Sequence, residues 1–119
     1  HMIRIPDSDR IEVRLADGAT NPYLLQASLI GAGLWGVENK ISPGKRLDIN
    51  MYEEGFKVKE AKKLPLNLLD ALRNFENNKI LKEILGSEFS DSYFKLKMNE
   101  WNSYMQYFTD WEHKNALDI

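Results

Sequence analysis

The sequence contains no cysteine and only two histidines among its 119 residues. Without cysteine there can be no disulfide, no thiolate nucleophile and no cysteine zinc site. The absence is also consistent with a reducing cytoplasm, which is the location we expect. One histidine, His113, has no second ligand at metal-binding spacing, so we assign it no role.

Long apolar runs and charge of a single sign are also missing. No apolar run is long enough to span a bilayer, and no secretory signal is present. The formal net charge is −2, and acidic and basic residues are interspersed. The sequence therefore shows no cluster of basic residues of the kind that binds nucleic acid. The length suits one ordinary domain with enough apolar residues for a core. We therefore expect a soluble protein that binds neither nucleic acid nor membrane.

The first two residues, His1 and Met2, are typical of a cloning remnant. The native sequence would then begin at Ile3, immediately before a strand-like run. A cut through a longer chain explains such a start better than a natural N-terminus does. We therefore interpret residues 3–119 as a piece of a longer protein.

The most informative stretch is a short strand-like run in which charged and apolar residues alternate. In an extended strand, Arg10, Glu12 and Arg14 share one face, and the two apolar residues between them share the other. A carboxylate suits Mg²⁺ or Mn²⁺, and guanidiniums match the geometry of phosphate and carboxylate. This combination suits phosphoryl transfer from a metal nucleotide to an acidic substrate. The same alternation is typical of any half-solvated strand, so a merely solvated face is the alternative.

Turn and helix signals predict an α+β fold that is mainly helical, with an N-terminal β-hairpin followed by about four helices. Turn-forming Pro, Asp and Ser residues separate strands predicted near 3–5 and 10–15. We divide the chain into active-site strands and a buried helix at 3–40, a loop at 41–64 and C-terminal helices at 65–119.

The first predicted helix begins with Asn21 as its N-cap and Pro22 at its first position. From there to Val37 the sequence is apolar nearly all round, which is typical of a helix buried in a larger core. We expect this helix to pack behind the strand that carries Glu12. Farther along, an apolar and aromatic stripe from Phe94 to Phe108 predicts one long C-terminal helix.

The order of these motifs resembles a known enzyme family. The sequence reads Arg-Ile-Glu-Val-Arg, then Asp-Gly-Ala-Thr-Asn-Pro-Tyr-Leu, then a helix rich in small residues that ends in Gly-Leu-Trp-Gly-Val. These segments resemble the C-terminal part of the catalytic domain of type I-like glutamine synthetases, the glutamate–ammonia ligases of nitrogen metabolism. The resemblance runs from about Arg4 to Glu112. The ending Trp-Glu-His at 111–113 looks more like the subgroup that includes glutamate–methylamine ligases.

The resemblance implies a role for four residues. Glu12 would be a ligand of an active-site Mg²⁺ or Mn²⁺, and Arg4 and Arg10 would contact the phosphates of ATP. Arg14 would contact the glutamate carboxylate or the transferring phosphate, so Arg10 and Arg14 are the expected catalytic residues. The resemblance also implies glutamate and ammonia, or a small amine, as substrates, and a homo-oligomeric ring in the parent protein.

Two classes of function stay open. The first is a part of an ATP-dependent ligase that forms glutamine through γ-glutamyl phosphate, or that uses methylamine or another small amine instead. The second is a non-catalytic helical interaction module. A strand with one metal ligand cannot hold Mg²⁺ tightly, so we expect the chain alone to be inactive. Replacing Glu12 by alanine separates the classes, because only a ligase would lose metal-dependent catalysis.

Overall fold

The computed structural model describes residues 2–59 and 62–116, which form a two-stranded antiparallel sheet, six α-helices and one short 3₁₀ helix. The strands are β1 (Ile3–Asp7) and β2 (Arg10–Val13), and the helices are α1 (Pro22–Glu38), α2 (Met51–Glu54), α3 (Leu68–Asn77), α4 (Lys79–Leu85), α5 (Ser87–Met105) and α6 (Asp110–Ala116). The 3₁₀ turn Gly55–Lys57 follows α2. The mainly helical α+β class is thus confirmed.

The chain divides into two compact units, His1–Lys63 and Leu64–Ile119. The first contains the hairpin, α1 and α2, and the second contains α3 to α6. Parts of the predicted cloning remnant, loop and C-terminal helices, namely residues 1, 60, 61 and 117–119, lie outside the described residues. None of the described helices is long and apolar enough to cross a membrane.

The hairpin pairs Arg4 directly with Glu12, and Asp7 with Arg10. The register is irregular between Arg4 and Asp7, where Pro6 has no N–H to donate to the ladder. Compared with the sequence prediction, β1 runs two residues farther and β2 ends two residues earlier. The pairing matters for function because directly opposed residues of an antiparallel pair project from the same face.

Helix α1 begins as the sequence predicts. The side-chain oxygen of Asn21 accepts hydrogen bonds from the N–H groups of Tyr23 and Leu24, at 3.0 and 3.2 Å, and Pro22 occupies the first helical position. However, no residue of α1 is buried, and within the described part of its unit α1 packs against no other element. The predicted burial behind the strand of Glu12 is therefore not found among the described residues of this unit, because a hairpin and a one-turn helix cannot cover a helix that is apolar all round.

The second unit has a small core of its own, where α3, α4 and α5 pack against one another. Leu72 of α3 is buried, with 3% of its surface exposed. Ser90 of α5 is completely buried, and its hydroxyl donates to the carbonyl of Lys82 at 3.3 Å. The rings of Phe75 and Tyr93 meet edge to face, 5.9 Å apart, and join α3 to α5.

Several helix boundaries differ from the sequence prediction. The helix expected to open at Pro65 begins at Leu68, because Asn67 acts as its N-cap and accepts a hydrogen bond from the backbone N–H of Asp70 at 2.9 Å. The single long helix expected at the C-terminal end stops at Met105, and a separate helix follows. The region interpreted as a loop, 41–64, contains α2 and the 3₁₀ turn.

Candidate active site

The charged face of the hairpin holds the carboxylate of Glu12 between two guanidiniums. Glu12 Oε2 lies 3.3 Å from Arg4 Nη1, and Glu12 Oε1 lies 3.3 Å from Arg10 Nη2. Arg10 is two residues before Glu12 on β2, as the alternation predicts, and Arg4 stands opposite Glu12 on β1. Three of the four predicted site residues are therefore brought together on one face.

This cluster is open to solvent and almost balanced in charge. The side chains of Arg4 and Arg10 are more than half exposed, while 33% of the Glu12 side chain is exposed. Arg10 Nη2 also lies 3.9 Å from Asp7 Oδ2, so two carboxylates face two guanidiniums. Ion pairs this exposed contribute about 0–1 kcal/mol each to stability. The cluster therefore contributes little to the stability of the fold.

The fourth predicted residue, Arg14, lies just beyond the end of β2. Its backbone N–H donates to the carbonyl of Met2 at 2.9 Å, which continues the pairing of the two chain segments by one bond. Among the ion pairs of the residues that the structure describes, none joins Arg14 to Glu12. Arg14, which is exposed, lines an open surface cavity of about 360 Å³ together with Ile49–Tyr52. The sequence prediction of one shared face thus agrees with the ion pair of Arg10 and Glu12 and stays a prediction for Arg14.

The donor set fits part of a metal–nucleotide site. Within residues 2–59 and 62–116 there is no group of three or more His, Asp or Glu side chains that could hold a metal ion. Mg²⁺ prefers near-octahedral oxygen coordination, usually with one or two carboxylates plus phosphate and water oxygens. Each Glu12 oxygen contacts one guanidinium and has a further lone pair available. Glu12 can therefore serve as one metal ligand, and the flanking guanidiniums match phosphate oxygens.

One contribution to the site was missed at the sequence level, namely the segment Ile49–Tyr52 beside Arg14. It falls in the region interpreted as a loop. A local signal was present, because Asn50 is followed by two acidic residues, Glu53 and Glu54, in the arrangement of an N-cap and an acidic first turn. That signal predicts a helix start, but nothing local indicates its proximity to Arg14.

Residues 1–116 match the family described as glutamine synthetase, catalytic domain. The chain is 57% identical over its full 119 residues to a glutamine synthetase of Rhizobium meliloti (strain 1021), of which it covers 27%. Over 121 aligned residues, 99% of the chain, it is 38% identical to a glutamate–methylamine ligase of Methyloversatilis universalis, of which it again covers 27%. A solved structure described as "Apo GmaS without ligand" matches the whole chain with a TM-score of 0.94 and 49% identity, and 28% of that structure is covered. The chain thus spans little more than a quarter of the length of these relatives.

Proposed function

Because the chain belongs to the family of glutamine synthetase catalytic domains, we propose that it is the C-terminal part of an ATP-dependent carbon–nitrogen ligase. The whole enzyme would activate glutamate as γ-glutamyl phosphate, from which ammonia or a small amine displaces phosphate. The observation that supports this best is the Glu12 carboxylate held between Arg4 and Arg10, at 3.3 Å from each, inside the residues that match the family.

In this proposal the charged face of the hairpin binds the phosphates of the nucleotide and its metal ion. Glu12, whose carboxylate faces Arg4 and Arg10, would hold Mg²⁺ or Mn²⁺. When bound, the metal would supply charge neutralisation for the phosphates of ATP, the donor of the phosphoryl group. Arg4 and Arg10 orient the phosphate oxygens and stabilise the negative charge that develops on them, because guanidiniums are permanently charged and forked.

Arg14 serves the other substrate in this scheme. Its side chain lines a cavity apart from the Glu12 cluster, which supports a division of roles between the arginines. Arg4 and Arg10 would bind the nucleotide, and Arg14 would bind the glutamate carboxylate or the transferring phosphate. Of these two, we favour the carboxylate, because Arg4 and Arg10 beside Glu12 already offer two guanidiniums for phosphate oxygens.

We further propose that the 119-residue chain is inactive by itself. Glu12 is the one metal ligand that we assign, and the described residues contain no group of three or more side chains that could hold a metal ion. The apolar face of the hairpin is also uncovered, since Ile5 and Ile11 are mostly exposed. Both observations agree with 3–40 being the active-site portion of a larger catalytic domain, with the other ligands and the cover supplied by the rest of a ring-forming ligase.

A second candidate differs only in the amine. The 38% identity to a glutamate–methylamine ligase favours methylamine or another small amine as acceptor. The 57% identity to a glutamine synthetase favours ammonia. The non-catalytic helical module is the remaining alternative, supported by the self-contained core of the second unit.

Phosphate release by the full-length ligase that contains this sequence tests these functions directly. Mg·ATP and glutamate are supplied with ammonium or with methylammonium, and controls omit glutamate or the amine. We expect release that requires glutamate and one of the amines, and the preferred amine identifies the ligase. The 119-residue chain assayed in parallel should release none. Absence of release from the full-length protein with either amine would favour a different amine as acceptor, or a homologue that keeps the fold and has lost the chemistry.

A further inference from the structure

The cavity beside Arg14 has a wall that comes from a distant part of the same unit. Arg14 follows β2, and the wall is the segment Ile49–Tyr52, which includes the start of α2. Ile49 and Met51 are half-buried, and Arg14 is the one described residue lining the cavity that carries a permanent charge. The position of this wall therefore affects the space in which the Arg14 side chain can move.

The wall has a defined local structure that depends on Asn50. The side-chain oxygen of Asn50 accepts a hydrogen bond from the backbone N–H of Tyr52 at 3.1 Å. The backbone carbonyl of Asn50 accepts a second one from the backbone N–H of Glu54 at 2.8 Å. The Met51 side chain lies over Gly55, where its Cε would be 3.4 Å from an added Cβ. The cap and this contact hold a turn of helix that is too short to be stable alone.

We propose that Asn50 is a positioning residue for Arg14. By capping α2, Asn50 holds the segment Ile49–Tyr52 in place beside Arg14, and so limits the directions in which the guanidinium presents its N–H donors. A long side chain loses rotamer freedom when it binds an anion, so restricting it beforehand strengthens binding. The inference rests on the proposed function, in which Arg14 binds the carboxylate of glutamate.

The test is Asn50→Ala in the full-length ligase, with steady-state kinetics measured separately for glutamate and for ATP. We expect the KM for glutamate to rise about tenfold, since a displacement of ~1 Å at a binding group can cost about 100-fold. The KM for ATP should be unchanged, because Arg4 and Arg10 lie on the hairpin face. Asn50→Asp and Asn50→Ser should restore the glutamate KM, since both residues are good N-caps.

A matched control separates positioning from a simple loss of folded enzyme. Asn67→Ala removes the same kind of cap from α3, where the Asn67 side chain accepts from the N–H of Asp70 at 2.9 Å. This variant should leave the glutamate KM unchanged, and thermal unfolding should confirm that both alanine variants are folded. An equal rise in KM for Asn67→Ala, or failure of the aspartate and serine variants to restore it, would overturn the inference.

Arg14→Lys distinguishes a failure of this inference from a failure of the proposed function. We expect it to raise the glutamate KM, and Asn50→Ala should add little to it, because in this proposal Asn50 affects glutamate binding only through Arg14. An unchanged KM in Arg14→Lys would remove the proposed role of Arg14 and the inference with it. A raised KM in Arg14→Lys, with none in Asn50→Ala, would overturn only the inference. Where turnover is too slow, calorimetric binding of glutamate gives the same comparison.

Discussion

The two units of this chain differ in how they use their side chains. In the second unit, α3, α4 and α5 bury Leu72 and Ser90 and leave most charged groups on the surface. In the first unit no described residue is buried, and α1 packs against no other described element of that unit, yet this unit carries all four residues proposed for binding and chemistry. The helical unit is thus held by its own packing, whereas the hairpin unit presents charge without a core.

The difference follows from what each kind of element needs. Amphipathic helices bury their apolar faces against each other, so three of them already form a small core. A two-stranded hairpin is at best marginally stable alone, and its apolar face needs an external partner. Ile5 and Ile11 are exposed on that face at 69% and 66%. A ligand-binding strand built in this way depends on the rest of a larger domain for its cover.

The largest expected effect is on activity, from Glu12→Gln in the full-length ligase. The substitution keeps the shape and removes the charge, so phosphate release should fall by at least about 10²–10³-fold. Stability should change by less than about 1 kcal/mol, because the ion pairs of Glu12 are exposed. Glu100→Gln is the matched control, since Glu100 pairs with Lys97 at 2.7 Å in the helical unit, and it should keep full activity. Full activity in Glu12→Gln would contradict the metal-ligand role.

The next effect concerns stability in the helical unit. Leu72→Ala leaves a cavity in the packed interface of α3, so the free energy of unfolding should fall by about 2–5 kcal/mol. Leu66→Ala removes the same atoms from a side chain that is 93% exposed. It should change the free energy of unfolding by less than about 0.5 kcal/mol. Chemical denaturation measures both. Similar losses for the two variants would mean that Leu72 does not form a core.

The smallest effect is a pH dependence at the start of α6. The backbone N–H and the hydroxyl of Thr109 both donate to Glu112 Oε2 at 2.8 Å, and they lower the pKa of Glu112 from its ordinary value of 4.5. A carboxyl whose folded pKa is lowered stabilises the fold fully above its unfolded pKa. That stabilisation is lost as the pH falls through the folded pKa. Titration of the Glu112 carboxyl by NMR should show the lowered pKa.

Thr109→Val tests the cause of that shift. It removes the hydroxyl donor and keeps the backbone donor, so the pKa of Glu112 should move part of the way back toward its ordinary value. The control is Ser103→Ala, which removes an exposed hydroxyl from α5 and should leave the pKa of Glu112 unchanged. An unchanged pKa in Thr109→Val would assign the whole shift to the backbone donor.

Part of the candidate site could be predicted from local pattern. The shared face of Arg10 and Glu12 follows from the two-residue period of a strand, which depends only on neighbouring residues. The start of α1 at Asn21 and Pro22 follows from capping chemistry, which is equally local. The contact of Arg4 with Glu12 is different, because it depends on the register between the two strands. The irregularity in that register cannot be predicted from the alternation of charged and apolar residues.

By itself, the sequence determined the α+β class, the order of hairpin and helices, the start of α1, and the resemblance that the match to the catalytic-domain family confirms. These features depend on the periodicity of apolar residues, on helix caps and on the order of motifs, all of which are determined by residues close together in the sequence. Only the tertiary structure decided that Arg4 faces Glu12, that Arg14 lines a separate cavity, and that the segment Ile49–Tyr52 forms its wall. Such contacts join residues far apart in the chain, and their geometry depends on how whole segments pair and pack rather than on local preference.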